Sequence, residues 1–187
     1  QALDVRDAAT HDRVLLIPAI LAVILIVLYA LLRSVLAPPT LLAATILGAL
    51  AALGLGGWAS LHVFGFPALD NSTPLLAFLF LAALGVDYTI FLVTRAREEA
   101  GRHGTRDGMI RAVSVTGGVI TSAGIVLAAV FCVLGVLPLI VLTQMGIIVG
   151  LGILVDTFIV RTLVIPALFA IIGDRIWWPR KPADPDN

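Results

Sequence analysis

The chain has 187 residues, of which 60% are hydrophobic and only 13% charged, and its mean hydropathy is +1.08. A water-soluble domain is nearer half apolar and a quarter charged, so the composition excludes one and indicates a membrane protein. Twelve Lys and Arg balance twelve Asp and Glu, and no nucleic-acid partner is expected of a neutral chain.

Residues 1–13 carry five charges (Asp4, Arg6, Asp7, Asp12 and Arg13) and cannot sit in lipid. With no initiator Met and no apolar leader, the chain reads as a piece of a longer protein. The first span is 14–33, with Pro18 in its opening turns, where a missing N–H does least harm. Arg33-Ser34 and Pro38-Pro39 make a turn, and 41–61 is the second span, rich in glycine and closed by Trp58. Asn71-Ser72-Thr73 before Pro74 is a helix-start signal, opening the third span, 74–94. A charged stretch follows, with Arg95, Arg97, Arg102, Arg106 and Arg111 interrupted by Gly101 and Gly104. The fourth span is 112–134, ended by a turn around Gly135 and Pro138. The hydrophobic run after Ile140 is too long for one crossing of about 20 residues. It divides into a fifth span, 141–161, and an interfacial continuation to 172. Trp177-Trp178 with Arg180 and Lys181 reads as an aromatic and basic membrane exit. The expected fold is all-α, a polytopic bundle of five transmembrane helices over 14–173, with a tail at 174–187.

Nine basic residues fall on one side of this arrangement and only Arg6 and Arg13 on the other, with Arg161 inside the last run. The positive-inside rule then puts the N-terminal connector outside and the C-terminal tail in the cytoplasm. Five spans require ends on opposite sides, in agreement.

The third span holds a carboxylate and a phenol, Asp87 and Tyr88, in its inner half. A charge in hydrocarbon costs at least a few kcal/mol, so an intramembrane Asp is a functional-site hypothesis by default. A bundle that encloses Asp87 and reaches it from water would let it bind and release protons, with Tyr88 placed to orient it. The competing reading is a structural carboxylate satisfied by a neighbouring helix. Phe91 and Thr94 share roughly the face of Asp87, which makes Phe91 an apolar plug one turn inward. Thr116, Thr121 and Ser122 are candidate hydroxyl partners from the fourth span, although ordinary interhelical hydrogen bonding explains each of them equally well.

Asp156 and Arg161 form a second ionisable set. Five residues apart, they stand roughly 140° apart around an α-helix, poor geometry for pairing. Arg161 is expected to snorkel to the inner interface. Asp156 is either a further relay member or a partner for an arginine at the inner rim. Gly146 with Gly150, Gly118 with Ser122 and Gly124 with Ala128 have small-xxx-small spacing, which permits close helix packing. The single cysteine, Cys132, excludes an internal disulfide. His11, His62 and His103 lack metal-ligand spacing, so neither metal nor cofactor is expected. No phosphate loop or nucleophile constellation argues for an enzyme.

Three segments occurring in order carry a resemblance. They are Gly85-Val86-Asp87-Tyr88-Thr89-Ile90-Phe91-Leu92-Val93-Thr94-Arg95, Val115-Thr116-Gly117-Gly118-Val119-Ile120-Thr121, and Leu154-Val155-Asp156-Thr157-Phe158-Ile159-Val160-Arg161, followed by Trp177-Trp178. The chain resembles the mycobacterial-membrane-protein-large (MMPL) family of the resistance–nodulation–division (RND) superfamily. It matches the eighth to twelfth helices, half of an RND-type transmembrane domain. The resemblance implies a secondary active transporter in a bacterial plasma membrane, driven by the proton-motive force and exporting lipids or other hydrophobic molecules. It implies that Asp87 and Tyr88 are the proton relay, supported by Phe91 and by Thr121 or Ser122, and gives no role for Asp156. Its implied partners are protons, membrane lipids, the remaining half of the transporter with its extracytoplasmic domains, and a homo-oligomer. Two relatives of similar architecture compete: a Sec-associated translocation motor, and a non-transporting sterol-sensing or receptor-like domain.

Overall fold

A computed structural model describes residues 2–179, with side chains from residue 15 onward. Among these residues there are helices and no strands, and five helical rods are long and apolar enough to cross a membrane. They are α1 (Ala2–Leu32), α2 (Ala37–His62), α3 (Thr73–His103), α4 (Thr105–Leu134) and a composite fifth rod, Ile140–Trp177. The fifth rod is built from α5 (Ile140–Val155), a π-helical stretch Asp156–Val164, α6 (Ile165–Ile172) and a closing 3₁₀ turn, Gly173–Trp177.

The helices outrun the spans because helix formation does not stop where hydrocarbon does. α1 begins twelve residues before its apolar run. α3 continues through the arginine-rich stretch, held by Arg95 bridging Glu98 at 2.9 Å and Glu99 at 2.7 Å, the spacing at which helix neighbours meet. It ends at Gly104, whose φ of 80° only glycine adopts freely. One residue therefore turns α3 into α4.

The core lies where α2, α3, α4 and the fifth rod meet, and α1 leans on its edge through Ile24, Leu28 and Leu32. Small residues set the closeness. A Cβ on Gly56 would sit 2.6 Å from the Ile148 Cα, where α2 crosses α5, and one on Gly146 would sit 2.5 Å from the Phe131 carbonyl of α4. Gly118, by contrast, has nothing within 4 Å and is exposed, so its pairing with Ser122 packs no described helix.

Polar clasps close both ends. At the end that carries the α2–α3 loop, fully buried Gln144 accepts from the Asp70 N–H at 2.8 Å and donates to the Ala68 carbonyl at 2.8 Å. It thereby ties the α2–α3 loop to the first turn of α5. At the opposite end Trp177 is not an interfacial anchor, as the sequence suggested, but wholly buried. Its indole N–H donates to the Thr105 hydroxyl at 3.0 Å, and Thr105 donates to Asp174 at 2.6 Å. Arg97 lies over the Trp177 ring, 5.7 Å from its centroid. Ser34 donates to the Ile176 carbonyl, and the Val35 N–H donates to that of Trp178 at 2.8 Å. A buried indole needs a partner for its N–H, and Thr105 supplies it. Trp178 remains exposed, and Arg180 and Lys181 lie outside the described residues.

Candidate functional site: an intramembrane ion pair beside the Asp-Tyr motif

Adjacent residues of a helix point roughly 100° apart, so Asp87 and Tyr88 cannot both face the same way. In this chain they part. Asp87 is exposed on the outside of the bundle, in a stripe along α3 with Ala83, Phe91, Thr94 and Glu98. The expected enclosure of Asp87 by these helices is therefore not what is seen, although Phe91 does share its face and is half exposed. Ser122 is also exposed and donates to the Val119 carbonyl of its own helix at 3.0 Å. Thr121 lines a cavity beside Arg161, not beside Asp87.

Tyr88 turns inward and leads to the charged centre. The Arg161 guanidinium lies 4.6 Å from the centroid of its ring and forms an ion pair with Asp156. The same Nη2 reaches the carbonyls of Leu84 and Gly85, at 3.4 and 3.3 Å. Arg161 is only 4% exposed and does not snorkel. On an α-helix, residues five apart would face apart and pair poorly. From Asp156 to Val164 the backbone is π-helical, and the Ile165 N–H bonds the Val160 carbonyl five residues back. That register brings residues five apart onto one side, which is the spacing of Asp156 and Arg161. Pro166, lacking an N–H, makes no claim on an α-helical acceptor in this stretch.

Glycines make room for the pair. Ideal Cβ atoms on Gly48 of α2 and Gly85 of α3 would each lie 3.9 Å from an Asp156 carboxylate oxygen, so Asp156 sits between two bare backbones. Gly85 also exposes its carbonyl, which already accepts from the Thr89 hydroxyl at 2.7 Å, to the guanidinium. The centre combines a carboxylate, a cation, a phenol and two carbonyls in a region where each charge alone would be costly. Sequence reasoning placed Asp156 and Arg161 but not their union. One signal was available: two ionisable residues in one apolar run must satisfy each other unless another helix supplies partners. Among the described residues, no group of His, Cys, Asp and Glu is arranged to hold a metal.

The MMPL family model matches residues 1–185. A membrane protein of Streptomyces coelicolor is 52% identical over 97% of this chain, which spans 26% of that protein. The apo-petrobactin exporter of Bacillus anthracis is 41% identical over 95% of the chain, which spans 24% of it. The sulfolipid-1 exporter MmpL8 of Mycobacterium tuberculosis is 41% identical over 94% of the chain, which spans 16% of it. The match runs nearly end to end, so the chain belongs to the MMPL family of multi-pass membrane proteins.

Proposed function

We propose that this chain is the membrane portion of an exporter that uses the proton-motive force to move lipids or other hydrophobic molecules outward across a bacterial plasma membrane. Residues 1–13 lie outside and the C-terminus in the cytoplasm. The observation that carries the reading is the Asp156–Arg161 pair buried under the Tyr88 ring, one residue from the exposed Asp87. A buried ion pair is weak evidence for stability, since apolar replacements often serve as well, so its presence within a membrane span argues for use. That relatives are named as exporters supports the direction of transport.

The scheme follows from which groups face which way. Asp87 meets incoming protons on the outer face of α3, where the stripe from Ala83 to Glu98 is the surface we assign to the remaining half of the transporter. Neutralising Asp87 removes a charge next to Tyr88, whose ring holds Arg161. The change thus reaches Asp156 and the fifth rod without a direct contact between the two carboxylates. One charge crossing the membrane supplies about 2.3 kcal/mol per 100 mV, less than the roughly 3–5 kcal/mol for stripping one partner from a buried pair. Coupling therefore exchanges partners of Arg161 and does not rupture the pair outright.

The test is export by the native protein containing this chain, with Asp87→Asn. Asn keeps the size and cannot cycle a proton. Loss of export with normal membrane insertion is the expected result. Export at the ordinary rate would reduce Asp87 to a structural carboxylate and move the proton-driven reading to Asp156, or end it.

A further inference from the structure

Two small cavities flank Arg161. One, of about 10 Å³, has Gly85, Tyr88, Asp156, Thr157 and Arg161 in its wall. The other, of about 20 Å³, has Thr116, Thr121, Thr157, Thr162 and Arg161, with neither Asp156 nor Tyr88. A cavity holds a water when it offers about 10–15 Å³ and two to four polar partners. The second chamber meets the volume, and four hydroxyls and a guanidinium supply the partners.

The hydrogen bonds already made say what is left over. Thr116 donates to the Ala112 carbonyl at 2.7 Å, and Thr162 to the Thr157 carbonyl at 3.0 Å. Each donor is used, and the oxygen lone pairs remain to accept. Arg161 has the complementary lack: its Nε is buried and bonds none of the described residues. An unpartnered N–H on a cation in hydrocarbon is costly, and hydroxyls that accept but cannot reach it need a bridge. Gly124 preserves the space, because a Cβ there would lie 2.4 Å from the Thr157 hydroxyl and drive that side chain aside.

We propose that this threonine-lined chamber is an internal water site, holding a water between Arg161 and the hydroxyls of Thr116, Thr121 and Thr162. Its role rests on the proton-coupled reading. When Asp156 loses its hold on Arg161, the water is the second partner to which the guanidinium turns. Arg161 thereby stays solvated throughout the exchange.

Hydroxyl-radical footprinting on the native protein in lipid nanodiscs reads this directly, since radicals formed from bound water oxidise the side chains beside it. Leu92 and Ile120, which wall the chamber, should be oxidised about tenfold faster than Ile148, which is fully buried away from both cavities. Thr116→Val with Thr121→Val keeps the shape and removes two hydroxyls. Labelling of Leu92 and Ile120 should fall to that of Ile148, and proton-driven export should slow about fivefold, the equivalent of one ordinary hydrogen bond. Leu92 and Ile120 as unreactive as Ile148 in the unmodified protein would overturn the water site. Unchanged export in a double variant that has lost its labelling would overturn the role given to the water. Normal export with Asp87→Asn would remove Asp87 from the proton-coupled reading and leave the labelling untouched, so the failures are separable.

Discussion

Replacing Arg161 by Met removes four things at once: the ion pair with Asp156, contacts to the Leu84 and Gly85 carbonyls, and the cation over Tyr88. Stripping one partner from a buried pair costs about 3–5 kcal/mol, because the charge left behind has no compensation. The stacked cation adds about 0.5–2 kcal/mol where water is excluded. These contributions overlap, so the expected loss is about 4 kcal/mol, close to a thousandfold in the folded fraction. Asp156→Leu should cost a similar amount for the mirror-image reason. The double replacement leaves no charge and should return to within about 1 kcal/mol of the starting protein. Reversible unfolding in mixed micelles, run as a double-mutant cycle, measures the coupling directly. Additive single losses, or an Arg161→Met loss below about 1 kcal/mol, would refute the claim that π-helical winding makes these residues one unit.

Two further outcomes follow from the clasps. Trp177→Ala should cost about 3–5 kcal/mol, the range for a large core aromatic, and should speed proteolysis at the α3–α4 end of the bundle. A loss like that of an exposed residue would contradict its burial against Thr105 and Arg97. Gln144→Leu keeps the volume but leaves the Asp70 N–H without its acceptor, a loss of about 1–3 kcal/mol. Backbone amide exchange at Asp70 should accelerate while that of α3 does not, and equal protection in both would mean the loop holds itself.

Much of the architecture is legible in one dimension, because a bilayer reads length and polarity. Runs of apolar residues near 20 long can do little but span, and the punctuation by Gly104, by Gly135 with Pro138 and by Asn71-Ser72-Thr73-Pro74 marks where each helix turns back. The Asp87-Tyr88 motif, its shared face with Phe91 and the family were visible for the same reason: local spacing and local identity suffice.

Which way those residues face was not. Asp87 and Tyr88 are neighbours in sequence, but the packing of α3 against α2, α4 and the fifth rod sends one out and the other in. Asp156 and Arg161 pair only because the backbone changes its hydrogen-bond register for nine residues, and the side-chain pattern does not encode winding. Trp177 looked like an anchor by composition and is a core residue because Thr105 and Arg97 are there to receive it. The amino-acid order by itself determined how many times the chain crosses and which residues carry charge into the membrane. Only the tertiary structure decided how those charges are satisfied, because in hydrocarbon every charge must find its partner, and partners are chosen by packing.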